Sequence, residues 1–151
     1  MKANDIMIRD VFYVKGTDPI RVVIQNFIKH GISGVPVVND QKELIAYISD
    51  GDIMRYIGRH KDIVVDSLYF VNVVEGDREG FSERVKQILT LPALDIAKKK
   101  VIKVSWDEEV ENVATILGKR KIKKVPVERD GKLVGVISRG DVIRHTFKGL
   151  L

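Results

Sequence analysis

Val35-Pro36-Val37-Val38 and, after a polar turn, Ile48-Ser49-Asp50-Gly51-Asp52-Ile53-Met54-Arg55 decide the fold, because both stretches return. Val125-Pro126-Val127 lies 90 residues after its counterpart, and Ile137-Ser138-Arg139-Gly140-Asp141-Val142-Ile143-Arg144 lies 89 residues after its own. At the offset of 90, Asp5-Ile6 matches Asp95-Ile96, and Val11 and Val14 match Val101 and Val104. Val23, Lys29, Ile32 and Asp40 likewise match Val113, Lys119, Ile122 and Asp130. The single gap falls where Asn39-Asp40-Gln41-Lys42-Glu43 faces Arg129-Asp130-Gly131-Lys132, in a polar turn where a deletion is tolerated. The chain is therefore one unit written twice.

Each copy reads as β-α-β-β-α. Val11-Phe12-Tyr13-Val14 and Val101-Ile102-Lys103-Val104 are short strands. Helices over 18–29 and 107–119 follow, with Ile20, Val23, Ile24, Phe27 and Ile28, and Val110, Val113, Ala114 and Leu117, at helical spacing. Asp107 is the expected N-cap of the later helix. A hairpin comes next, from Val35-Pro36-Val37-Val38 to Leu44-Ile45-Ala46-Tyr47-Ile48, and again around Asp130-Gly131, a strong turn signal between apolar runs. A second helix opens at Ser49 and at Ser138, where Ser-x-x-Asp has the form of a capping box. A unit of about 55 residues buries too little surface alone, so the two copies are expected to stack as one module.

The other bounds are permissive. The chain has 151 residues, 44% hydrophobic and 31% charged, an ordinary globular mixture. It has no cysteine, so thiol chemistry and thiolate metal sites are out. No apolar run reaches the roughly 20 residues of a membrane span, and no export signal is evident, so a cytoplasmic protein is expected. No phosphate-loop, dinucleotide-fold, nucleophile-elbow or H-E-x-x-H pattern occurs, and no catalytic or metal-ligating residues are assigned. The net charge of +5 favours polyanionic partners, with Lys98-Lys99-Lys100 and Lys119 to Lys124 concentrating it in the second half.

Gly31-Ile32-Ser33-Gly34-Val35-Pro36-Val37-Val38 with Ile48-Ser49-Asp50-Gly51-Asp52-Ile53 resembles a CBS domain. Lys121-Ile122-Lys123-Lys124-Val125-Pro126-Val127 with Gly135-Val136-Ile137-Ser138-Arg139-Gly140-Asp141-Val142 resembles a second one. The chain thus looks like a tandem CBS pair, or Bateman module. The resemblance implies an α+β (α/β) fold of two β-α-β-β-α CBS repeats packed sheet to sheet with pseudo-two-fold symmetry, plus a short helical linker insertion. The organisation expected is 1–60 first repeat, 61–94 linker and 95–151 second repeat. It also implies a non-catalytic regulatory module that senses an adenosine-containing ligand (AMP, ADP, ATP or S-adenosylmethionine) in clefts between the repeats. It implies a homodimer acting on an effector protein, with no catalytic cofactor.

By that resemblance Asp52 and Asp141 accept the ribose diol, beside Ser49 and Ser138, while the helix N-termini offer backbone N–H groups to phosphate. Adenine contacts map to Ser33, Gly34, Val35 and Pro36, and to Lys123, Lys124, Val125 and Pro126, with Tyr13 and Lys103 on the opposite wall. Arg139 stands where the first copy has Asp50, and an arginine grips phosphate where an acid competes with it. With Lys103, Lys123 and Lys124 added, the Ser138/Asp141 cleft is expected to be the tighter, and Ala46 in place of Gly135 to narrow the first. The alternatives are a basic nucleic-acid-binding module, which the 7% aromatic content does not favour, and a purely structural dimerisation module. Trp106 is expected to pack rather than stack on a ligand. Within the linker, Phe81 to Leu89 reads as a helix, with apolar segments before it that either cover the module's edge or form an interface for a second chain or a partner.

Overall fold

The computed structural model describes residues 1–60, 63–66, 71–74, 79–119 and 122–151, with 63–66 and 71–74 as backbone. Leu68-Tyr69-Phe70, Gly76-Asp77-Arg78 and Arg120-Lys121 lie outside the described residues. The first copy contains α1 (Ala3–Ile6), β1 (Val14–Lys15), α2 (Ile20–His30), β2 (Gly34–Val38), β3 (Leu44–Ser49) and α3 (Asp50–Ile57). A hairpin of β4 (Ile63–Asp66) and β5 (Val71–Val74) and the helix α4 (Phe81–Ile88) follow. The second copy contains α5 (Ala93–Ile96), β6 (Val104–Ser105), α6 (Val110–Lys119), β7 (Lys124–Arg129), β8 (Lys132–Ser138) and α7 (Arg139–Phe147).

Each copy forms a three-stranded sheet, ordered β1-β2-β3 and β6-β7-β8. The edge pairing is parallel (Val14 with Val37, Val104 with Val127) and the hairpin antiparallel (Val35 with Ile48, Val125 with Ile137). The Asp130-Gly131 turn adopts φ of 53° and 80°, the paired left-handed conformation of a tight hairpin that an Asp-Gly sequence favours. The longer first turn is instead held by Asn39, whose Oδ1 accepts the Gln41 and Glu43 N–H groups. The hairpin strands and the helices opening after Ser49 and Ser138 follow the sequence reading.

Three local expectations shift. The edge strands are two residues long and begin at Val14 and Val104 rather than Val11 and Val101, because only there does the chain run beside the hairpin. The long helices begin at Ile20 and Val110, not at 18 and 107. Asp18 instead accepts the Lys15 N–H, and Asp107 the Ser105 hydroxyl, in the turns before the helices, so Asp107 is not an N-cap. The short helices α1 and α5 were not anticipated.

Those short helices are exchanged. Ala3 and Ile6 are buried in the core of the second repeat with Val104, Val113, Leu117, Val125 and Ile137. Ala93 is buried in the core of the first with Val14, Ile20, Val23, Val37 and Ile48. Backbone bonds fix both crossings: Ala3 N–H to Glu108 O at 2.8 Å and Asn4 N–H to Trp106 O at 2.9 Å, then Ala93 N–H to Asp18 O at 2.7 Å and Leu94 N–H to Gly16 O at 3.1 Å. The chain beyond each short helix then pairs with the far hairpin, Ile8 with Val136 and Lys98 with Tyr47. The two hairpins also meet directly, Glu43 beside Lys132. Each repeat thus supplies the lid of the other's core, as a unit too small to seal itself requires.

Side-chain volumes follow the exchange. A Cβ on Gly135 would lie 2.5 Å from Met7 Sδ, so glycine there makes room for methionine. The repeat-related positions hold Ala46, fully buried, and Ala97, packed on the same core. One side divides the space as Gly and Met, the other as Ala and Ala. Ala46 is therefore a core residue and does not narrow a cleft. The insertion's α4 is docked on the first repeat: Ile88 is buried in its core, and buried Arg84 donates from Nε to Ile57 O at 3.0 Å, at the end of α3.

Gly135→Ala is expected to cost about 1–2 kcal/mol by overpacking against Met7, measured by urea unfolding. Met7→Ala on that background should recover part of the loss, giving a coupling of about 0.5 kcal/mol or more in the double-mutant cycle. Strict additivity would contradict the packing described.

Candidate functional site

The serine–aspartate turns are built alike in both copies. Ser49 caps α3, and Asp52 Oδ2 accepts the Ser49 backbone N–H at 2.9 Å and its hydroxyl at 3.2 Å. Asp141 Oδ2 accepts the Ser138 N–H and hydroxyl, each at 2.8 Å, and the Asp141 N–H donates back to Ser138 Oγ. The second carboxylate oxygen takes an arginine one turn on: Arg55 pairs with Asp52, and Arg144 with Asp141 at 2.6 Å. The motif is therefore Ser-x-x-Asp-x-x-Arg, and the arginine's part was not read from the sequence although both copies carry it. Both carboxylates are buried, Asp52 6% and Asp141 3% exposed. Burial alone would raise the Asp141 pKa, but the Ser138 hydrogen bonds and Arg144 outweigh it and hold the carboxyl below its ordinary value.

A carboxylate has about four lone-pair positions. Three of Asp52's are taken, so a vicinal diol engages it by sharing with Arg55 or displacing it.

The two mouths differ in what stands opposite. A cleft of about 350 Å³ opens at the first mouth, lined from its own repeat by Ser33, Gly34, Tyr47, Ser49, Asp50 and Asp52. The far wall comes from the second repeat: Lys98, Lys100, Val101 and Ile102 from the segment that crosses after α5, and Ile122, Lys123, Lys124 and Pro126 at the start of β7. Lys98 is held there by its backbone, which exchanges two bonds of 2.9 Å with Tyr47. The cleft brings together Ser33, Gly34, Ser49, Asp52, Lys123, Lys124 and Pro126 of the anticipated residues. Val35, Pro36 and Val125 are buried in the sheets, Val35 and Val125 inside the cores. Tyr13 lies outside the cleft, its ring 5.4 Å from Lys42 Nζ. Lys103 pairs with Glu128 at 3.0 Å.

Part of the charge assigned to the second mouth also serves the first. Lys123 and Lys124 line the first cleft, while the Arg139 N–H donates to Lys123 O at 3.1 Å at the second mouth and Arg139 Nε donates to Leu117 O at 3.2 Å, at the end of α6. The expected ranking, with Asp141 in the tighter cleft, finds no support in this arrangement. Nor are the first N–H groups of α3 open to an anion: Asp50 N–H donates to Ser33 O, and Gly51 N–H to Asp50 Oδ1.

Tyr47, Lys98 and Lys100 were missed. Tyr47 was legible, since strand parity puts it on the face of Ser49, two residues on. Its hydroxyl lies across Gly34, where a Cβ would approach it to 2.6 Å. Burial, with Asp50 adding to it, pushes the Tyr47 pKa up to about 12, so the phenol stays protonated and able to donate. Trp106 carries Arg129 over its ring at 4.0 Å, a packing role as expected. Among the described residues no helix is long and apolar enough to cross a membrane.

Two exchanged repeats with a cleft across their junction define the class, a tandem-repeat module. The chain belongs to the CBS domain family, whose domain matches twice, over residues 3–59 and 93–148. Uncharacterized protein MJ1426 of Methanocaldococcus jannaschii is 32% identical over 151 residues, spanning 95% of this chain and 89% of that protein. The chloroplastic CBS domain-containing protein CBSX1 of Arabidopsis thaliana is 28% identical over 145 residues, 89% of this chain and 58% of that protein. The crystal structure of CBSX2 in complex with AMP matches the fold with a TM-score of 0.72 at 21% identity, covering 97% of this chain and 96% of that one.

The lowered Asp141 pKa sets an acid limb. Because the unfolded chain binds this proton near 3.8 and the folded chain only at lower pH, the stabilisation is complete above that value and is lost as pH falls through the folded pKa. Asp141→Asn should lower stability by about 1 kcal/mol at pH 7 and flatten the acid limb in urea titrations at pH 2–5. An unchanged limb would contradict the assignment.

Proposed function

We infer that the chain is a non-catalytic regulatory module that binds an adenosine nucleotide in the cleft at the Ser49/Asp52 mouth. The observation that carries this reading is a buried, oriented carboxylate at a strand-to-helix turn that opens onto a cleft walled by the other repeat. Asp52 takes the ribose diol by sharing with or displacing Arg55, and Tyr47, with Ser33 and Gly34, forms the wall nearest the base. CBSX2, a protein of the same fold, has been crystallised with AMP, which supports the ligand class. A cleft of this size lies within the range of small-molecule sites, roughly 300–1,000 Å³, and suits a nucleotide better than a nucleic-acid strand. Because the ligand bridges the two repeats, binding favours whichever packing of the repeats fits it better. The output passes to an effector protein, with the module as a homodimer in the cytoplasm.

Calorimetry with AMP tests the site. The native chain should bind saturably, Asp52→Asn should weaken binding by roughly tenfold or more, and Asp141→Asn should leave it within about threefold. A larger loss in Asp141→Asn would place the ligand at the other mouth.

A further inference from the structure

We propose that the Asp52 cleft selects nucleotides carrying two or three phosphates over the monophosphate, with Lys98, Lys100, Lys123 and Lys124 as the specificity-determining residues. The inference rests on the nucleotide reading above and adds the ligand's charge. All four lysines line the one cleft. Among the described residues none of the four is engaged in an ion pair or a side-chain hydrogen bond. Neither acid that lines the cleft forms an ion pair with them: Asp52 is bound by Arg55, and Asp50 Oδ1 accepts the Gly51 N–H.

Four lysines lining one concave space without an acid partner repel one another. A polyanion relieves the repulsion. The helix N-terminus is closed by Asp50 and Ser33, so lysines, rather than backbone N–H groups, are left to hold phosphate here. The repeat relation shows that the charge of the crossing segment is particular to this mouth. The positions corresponding to Lys98 and Lys100 in the first copy are Ile8 and Asp10. A duplicated scaffold thus carries two cations at these positions of one crossing segment, and an apolar residue and an acid at those of the other. The same field disfavours S-adenosylmethionine, whose sulfonium and ammonium bring net positive charge.

Calorimetry on the full chain in magnesium-free buffer at low salt decides the matter. ATP should bind roughly ten- to thirtyfold more tightly than AMP, ADP should fall between, and S-adenosylmethionine should be weakest. The ATP-to-AMP ratio should shrink as salt rises from 50 to 500 mM, because the lysines are exposed enough to be screened. In the triple variant Lys98→Gln/Lys100→Gln/Lys124→Gln, ATP affinity should fall further than AMP affinity, bringing the two to within about threefold of each other. These side chains are exposed, so the fold is expected to survive, and a matched thermal unfolding curve checks it. Equal affinity for AMP and ATP, or a ratio untouched by the triple variant, overturns the proposal and leaves the nucleotide reading standing. No binding of any adenosine nucleotide overturns both.

Discussion

Everything in this structure depends on the reciprocal exchange of two four-residue helices. Neither repeat closes its own core: α1 seals the second with Ala3 and Ile6, and α5 seals the first with Ala93. A helix of that length has no independent stability, so each is helical only because it is packed. The consequence is a single cooperative module. Burial of the lids ties the two copies together more tightly than a face-to-face contact of finished domains would, and the matched volumes at Met7/Gly135 and Ala46/Ala97 show each crossing fitted to its own core.

The exchange also makes the site. A segment that has just crossed must run over the mouth of the partner repeat's serine–aspartate helix, so each mouth faces side chains encoded in the opposite half. The basic run after α5 therefore charges the Asp52 mouth rather than its own, and the start of β7 adds Lys123 and Lys124 to the same wall. The two copies differ in their crossing segments, Ile8 and Asp10 against Lys98 and Lys100, while both keep the capping boxes that hold the scaffold. The serine–aspartate–arginine network caps each helix and, in the first copy, leaves an oriented carboxylate at the cleft.

Much of the fold was legible in the sequence, because the repeat ties local patterns to one another. Asp130-Gly131 marked its hairpin, Ser49 and Ser138 marked their helices, and Phe81 to Ile88 marked α4. The short lids were not legible, since four residues carry no periodicity. The edge strands were set by where a parallel partner happens to run, not by their own apolar pattern. In the site, Ser49, Asp52, Ser33 and Gly34 were found because the motif lies within one repeat. The placement of Lys98 and Lys100 was not legible, because the exchange carries them to the mouth of the repeat that does not encode them. Arg139 was judged by chemistry alone, and its bond to Leu117 O shows that a nearby helix end competes for it.

The most direct test is a crystal structure of the chain grown with ATP. The account predicts electron density for the ribose against Asp52, with Arg55 moved or shared, and for the phosphates between Lys98, Lys100 and the start of β7. Ligand density at the Asp141 mouth with the Asp52 cleft empty would contradict it.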